Sequence, residues 1–257
     1  MQDLTVAYLQ YNIQWHDWEA NVSIIERHLS TLQQEIDLLI LPETFSSGFT
    51  IDPNPVAQHM DGPVVNWMSK TASSRGHTII GSVIIADDDA FYNRLICAHP
   101  DGSISHYNKR HLFSYAGEGE QYTAGDHRLQ FKIRDWTICP LICYDLRFPV
   151  WSRNTREYDV LVYVANWPTP RVEAWQSLLK ARAIENQAYT IGVNRTGRDN
   201  NDFKYPGSSE VFDMSGQSLH KSTSEDELAV VTLNKANLES YRSEYNFLAD
   251  KDSYILD

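Results

Sequence analysis

Three reactive side chains stand at the ends of runs that read as strands. Glu43 closes Leu38-Leu39-Ile40-Leu41-Pro42-Glu43, Lys109 closes Ile104-Ser105-His106-Tyr107-Asn108-Lys109, and Cys143 follows Ile138-Cys139-Pro140-Leu141-Ile142. If these runs are strands of an α/β sheet, ligands bind beyond their carboxyl ends, where the three residues would converge on one pocket. Their chemistry is complementary. A cysteine is a nucleophile only as its thiolate, a glutamate can accept its proton, and a lysine can favour the thiolate and steady an oxyanion. Singly, each has a plainer reading. Pro-Glu after a strand is a turn, a cysteine in an apolar run is a small core residue, and Asn-Lys-Arg-His is a solvated face. His111, near Lys109, leaves a cysteine–histidine hydrolase open, although no third orienting residue is evident. Cys139 and Cys143 would lie about 13 Å apart on one extended strand, too far for a disulfide. Cys139 and Cys97 therefore read as core.

The elements that must position these residues follow from periodicity. Residues 4–11 form an apolar, β-rich run. Asp17 can cap a helix with Glu19 in its first turn. Val22, Ile25, Leu29, Leu32 and Ile36 recur at helical steps, and residues 37–41 return to a short buried strand that Pro42 ends. A strand–helix–strand opening implies a parallel pair with a right-handed crossover. A helix over 63–74 begins with Pro63. Strands over 78–86, 91–98 and 103–107 form a meander punctuated by Asp87-Asp88-Asp89 and Pro100-Asp101-Gly102. Residues 129–133 and 137–142 pair across Arg134-Asp135, and 159–165 is a near-continuous apolar strand. Residues 172–186 form a helix, with Ala174, Leu178, Ala181 and Ile184 or Glu185 near one face. Strands over 188–194, 210–212 and 228–233 complete an α/β layered sandwich with mixed sheets.

Composition narrows the function classes. Of 257 residues, 22 are Lys or Arg and 34 are Asp or Glu, a net charge of −12 that argues against nucleic acid as a partner. Seven Trp, fourteen Tyr and nine Phe supply a large core, so disorder is not expected. Three cysteines suit a reducing compartment rather than a disulfide framework. Met1-Gln2-Asp3-Leu4 shows no basic n-region, and no apolar run has transmembrane length, so a cytoplasmic protein with no membrane partner is expected. The nine histidines show no paired-ligand spacing for a metal. Ala116-Gly117-Glu118-Gly119 lacks the Gly-Lys-Ser/Thr of a phosphate loop. With no linker and no repeat, residues 1–257 read as one domain.

Order and flanks together are more specific than any single residue. Leu41-Pro42-Glu43-Thr44-Phe45, Tyr107-Asn108-Lys109-Arg110-His111-Leu112-Phe113, and Ile142-Cys143-Tyr144-Asp145-Leu146-Arg147-Phe148-Pro149 resemble the motifs of the nitrilase superfamily of carbon–nitrogen hydrolases. Val164-Ala165-Asn166-Trp167-Pro168 and Ala181-Arg182-Ala183-Ile184-Glu185-Asn186 extend the resemblance over nearly the whole chain. The runs after Arg147 and through Asn166 resemble the omega-amidase, or 2-oxoglutaramate amidase, branch.

The resemblance implies a four-layer α-β-β-α sandwich with two mixed sheets and a Glu-Lys-Cys triad that uses no cofactor and no metal. It implies Glu43 as general base, Lys109 as oxyanion stabiliser and Cys143 as nucleophile at an elbow whose helix covers 148–154. The backbone N–H of Tyr144 would be the second oxyanion donor. A second glutamate is implied after the lysine, and Glu118 is preferred to Glu120. The implied substrate is a small anionic amide, the terminal amide of a 2-oxo acid such as 2-oxoglutaramate or 2-oxosuccinamate. Arg147 is a candidate for its carboxylate, or else a structural partner of Asp145 or Glu185. Phe45, Phe113, Asn166 and Trp167 are candidate pocket residues. An N-carbamoyl amidohydrolase, an aliphatic amidase, a nitrilase or a catalytically silent binding protein would share the fold. A homodimer is implied through helices, those over 148–154 and 172–186 being candidates, with Phe247, Tyr254 and Ile255 before Asp257 lying over the partner.

Overall fold

The computed structural model describes residues 2–254, so Ile255 and Asp257 lie outside the described residues. In chain order the elements are β1 Leu4–Gln10, α1 Trp18–Ser30, β2 Leu38–Ile40, α2 Pro63–Arg75, β3 Thr78–Asp87, β4 Ala90–Ala98 and β5 Ile104–Asn108. Then come β6 Phe131–Ile133, β7 Trp136–Ile142, α3 Pro149–Ser152, β8 Val160–Ala165, α4 Val172–Asn186, β9 Tyr189–Asn194, β10 Thr196–Arg198 and β11 Lys204–Pro206. The chain continues through β12 Glu210–Phe212, β13 Ser218–Lys221, β14 Glu227–Leu233 and α5 Lys235–Glu244.

Two six-stranded sheets result, ordered β14-β1-β2-β3-β4-β5 and β13-β12-β9-β8-β7-β6. Each has three neighbouring parallel strands, β1-β2-β3 and β7-β8-β9, with antiparallel strands outside them. Side-chain alternation explains the layers. In β1 and β2, Leu4, Val6, Tyr8, Leu38 and Ile40 join a core shared with the second sheet. Ala7, Leu9 and Leu39 point the other way, into a cluster with Ile25 and Leu29 of α1 and Met68 of α2. α4 covers the outer face of the second sheet at β9 and β12. The architecture is the expected α-β-β-α sandwich with two mixed sheets.

The opening strand–helix–strand unit forms as its sequence indicates. Asp17 caps α1 by accepting from the Ala20 N–H at 2.9 Å, and β1 and β2 pair in parallel. The buried face of α4 differs from expectation. Trp175, Leu179, Arg182, Ala183 and Asn186 are buried, whereas Ile184 is 45% exposed. Two polar residues belong to the inward face because each is bonded there. Arg182 donates to the Leu146 carbonyl at 2.6 Å, and the Asn154 N–H donates to Asn186 Oδ1 at 2.8 Å. Gly192 of β9 permits the close approach, since a Cβ there would fall 2.3 Å from Leu179 Cδ1. The helix expected over 148–154 is also shorter. A 3₁₀ turn, Cys143–Arg147, precedes α3, which begins at Pro149 and runs for four residues.

Candidate active site

The three strand ends meet at one edge of the sandwich. Leu41 and Pro42 follow β2 and lead to Glu43, and Lys109 follows β5 directly, its N–H bonded to the Asn93 carbonyl at 3.0 Å. Cys143 follows β7 with φ of +42°. That conformation is sparsely populated for a residue with a Cβ and is retained where the surroundings enforce it. It turns the chain abruptly from the strand into the 3₁₀ turn. Tyr144 then lies in a first helical turn, where N–H groups lack intrahelical partners.

Beneath the pocket, three charged side chains form a buried chain of contacts. Lys109 Nζ lies 3.0 Å from Glu43 Oε1 and 3.0 and 2.9 Å from the two oxygens of Glu118. All three residues are at most 1% exposed. Glu43 Oε1 also accepts from Asn93 Nδ2 at 2.8 Å, and its Oε2 accepts from the Asn166 N–H at 2.8 Å. The Phe113 N–H donates to Glu118 Oε2. Glu120 is exposed, so Glu118 is the glutamate that meets the lysine.

One ammonium between two carboxylates fixes the protonation pattern. Burial acts to lower the Lys109 pKa, but Glu118 and Glu43 outweigh it and hold the ammonium above the ordinary lysine value. Burial raises Glu118, opposed by Lys109 and reinforced by Glu43. Burial also pushes the Cys143 thiol well above its ordinary value, and the neighbouring Glu43 carboxylate adds to that while Lys109 opposes it. The resting group is therefore a thiol beside an acceptor, with a permanent cation close by.

Glu43 and Lys109 of this cluster line a cavity of about 250 Å³ that Cys143 also lines, with Glu118 behind the lysine. Phe113, Tyr144, Arg147, Asn166 and Trp167 line it as well. Phe45 does not, which corrects that expectation. It is fully buried in the core under the helices, its ring 6.1 Å from that of Trp67. Thr44, at φ of +42°, sends the chain away from the pocket after Glu43. Asn166 lines the cavity but also holds Glu43, since its Nδ2 donates to the Glu43 carbonyl at 2.7 Å.

Arg147 makes no salt bridge among the described residues. Its two candidate structural partners are engaged elsewhere, Asp145 with His111 and Glu185 with Arg182. Its guanidinium instead lies 5.0 Å over the Trp167 ring. A second arginine, Arg171, also lines the cavity, 5.2 Å over the Phe113 ring. Sequence reasoning missed Arg171, Asn93 and Phe49. Asn93 carried a usable signal, since with Arg94 it interrupts the apolar residues of β4. Arg171, just before α4, carried none. Phe49 is a loop aromatic that places its ring 5.3 Å from Lys109 Nζ.

Comparison with known proteins agrees in extent and in kind. The family model described as carbon-nitrogen hydrolase matches residues 5–243. The chain is 41% identical over 261 residues to omega-amidase YafV of Escherichia coli, covering all of both chains. It is 34% identical over 220 residues to a 2-oxoglutaramate amidase of Bacillus subtilis, covering 84% of this chain and 85% of that one. A solved CN-hydrolase superfamily protein of Xanthomonas campestris, carrying an arsenic adduct in its active site, has 39% identity and a TM-score of 0.96 over all of both chains.

Proposed function

The chain belongs to the carbon–nitrogen hydrolase family, and on that premise we propose that it is an omega-amidase hydrolysing the terminal amide of small 2-oxo acid monoamides. 2-Oxoglutaramate and 2-oxosuccinamate are the expected substrates. The observation that carries this reading is the pairing, in one small cavity, of Glu43, Lys109 and Cys143 with two arginines, Arg147 and Arg171, that make no salt bridge among the described residues. Full-length similarity to omega-amidases supports the choice within the family.

Glu43 removes the Cys143 proton as the sulfur attacks the amide carbon, and the carbonyl π pair moves onto oxygen. Lys109 and the Tyr144 N–H receive that oxyanion. The proton passes from Glu43 to the amide nitrogen, the C–N bond breaks, and ammonia leaves a thioester on Cys143. A water deprotonated by Glu43 then attacks the thioester. Collapse returns the sulfur to Cys143, which regains the proton, and releases the dicarboxylate. General acid–base catalysis of this kind contributes about 10²–10⁴ in rate. Glu118 keeps Lys109 charged and in place. Arg147 and Arg171 receive the substrate's far carboxylate, a task for local charge because the protein as a whole carries −12.

We further propose a cytoplasmic homodimer. The three free cysteines suit a reducing compartment, and the outward residues Val150 of α3 and Ile184 of α4, 47% and 45% exposed, suit a helix-mediated contact. A monomeric sedimentation coefficient at micromolar concentration would refute the dimer. The function is tested by ammonia release from 2-oxoglutaramate, glutamine, a carbamoyl amino acid and a nitrile. The reading requires 2-oxoglutaramate to give the highest kcat/KM; preference for the carbamoyl compound or the nitrile would replace it with another activity of the family.

A further inference from the structure

Asp145 takes no part in the chemistry above, yet its side chain is completely buried and its carboxylate accepts four hydrogen bonds. Oδ2 accepts from the Ile142 N–H at 3.0 Å and from the Tyr107 hydroxyl at 2.7 Å. Oδ1 accepts from the His111 N–H at 3.0 Å and from His111 Nδ1 at 2.8 Å. A carboxylate is an acceptor only, so this contact makes Nδ1 the protonated nitrogen. β5 and β7 belong to different sheets. Tyr107 and His111 each stand two residues from Lys109, and Asp145 stands two residues beyond Cys143. Three of the four bonds thus tie the strand end that carries Lys109 to the elbow that carries Cys143 and Tyr144, and the fourth, from Ile142, holds the carboxylate within that elbow. The His111 ring is held flat against Phe148, centroids 3.7 Å apart at 5°. Trp151 Nε1 braces the Tyr107 hydroxyl at 3.1 Å.

An aspartate and a histidine beside a cysteine also suggest a proton relay. The contacts oppose it. His111 spends Nδ1 on Asp145, its ring faces Phe148, and it is absent from the lining of the cavity that Cys143 enters.

We propose that His111 and Asp145 are a positioning pair that fixes the separation of the two oxyanion donors, Lys109 Nζ and the Tyr144 N–H. The inference rests on the site reading given above. Oxyanion stabilisation depends on donors placed at hydrogen-bonding distance from the developing charge. Loosening the tether lowers the rate of acyl transfer far more than it alters the reactivity of the thiol towards a small alkylating agent or the binding of substrate.

The test uses the full-length enzyme and two substitutions. His111→Phe keeps the stack on Phe148 and removes the donor, whereas His111→Asn offers a side-chain N–H in place of Nδ1. The Phe variant is expected to lose ~10–100-fold in kcat with little change in KM, the scale of a small misplacement in an active site. The Asn variant should recover most of the loss. Iodoacetamide should alkylate Cys143 within a few-fold of the parent rate in both, a far smaller change than in kcat, because displacement at its methylene carbon forms no oxyanion. Parent kcat in the Phe variant, a change in KM alone, or alkylation that slows in step with kcat would each overturn the proposal. Should the Phe variant not fold, His111→Gln, whose longer amide cannot reproduce the Nδ1 position, takes its place with the same expected loss. If the parent itself resists alkylation at Cys143, the site reading fails rather than the tether.

Discussion

Lys109 and Glu43 meet at 3.0 Å although 66 residues separate them and their strands are not neighbours in the sheet. β3 and β4 lie between β2 and β5, so the contact forms beyond the strand ends. Two buried carboxylates hold the lysine there in its charged form. It can act as a stationary charge against which an oxyanion develops.

Removing that charge should separate binding from chemistry. Lys109→Ala is expected to lower kcat by ~10²–10³ while KM changes far less, the scale of losing one oxyanion donor. An effect confined to KM would contradict the role given to the lysine. The same change leaves Glu43 and Glu118 buried without their cation, a loss of about 3–5 kcal/mol of stability by analogy with broken buried pairs. Chemical denaturation measures it.

The Cys143 thiol has a signed pH dependence. Because burial first and Glu43 second hold its pKa up, inactivation by iodoacetamide should accelerate with rising pH through the ordinary thiol range. Glu43→Gln removes the neighbouring negative charge, so the alkylation profile should move to lower pH while amide hydrolysis is lost with the base. An unshifted or upward-shifted profile would refute the arrangement.

The arginines should act on charge alone. Arg147→Ala and Arg171→Ala are each expected to reduce kcat/KM for 2-oxoglutaramate by ~10–100-fold, corresponding to about 1.5–3 kcal/mol for a charge-assisted hydrogen bond. An amide substrate lacking the carboxylate should be much less affected. Equal losses for both substrates would assign the arginines to packing over Trp167 and Phe113 instead.

Phe45 separates core from pocket. Phe45→Ala is expected to cost about 3–5 kcal/mol of stability, as a cavity in a tight core does, with KM near the parent value in the folded fraction. A large change in KM at parent stability would return Phe45 to the substrate site.

These cases show what a sequence can carry. Glu43, Lys109 and Cys143 could be singled out because each stands where a run that reads as a strand ends, within motifs whose order resembles those of the family, and the structure brings the three together. Phe45 was misplaced because one residue with positive φ, Thr44, redirects the chain, and no residue type announces that. The α4 face was misread because Arg182 and Asn186 face inward on hydrogen bonds that only the folded neighbours reveal. The β10–β11 hairpin, β13 and α5 were missed because they are short or polar and lack a periodic apolar signal.

The central claim is that Cys143 forms a thioester with the acyl group of a 2-oxo acid amide. Mass spectrometry of enzyme acid-quenched during turnover of 2-oxoglutaramate tests it directly. The account predicts an adduct of the substrate less ammonia on the Cys143 peptide, and neither adduct nor ammonia from Cys143→Ala. Full ammonia release by Cys143→Ala, or an adduct on another residue, would contradict it.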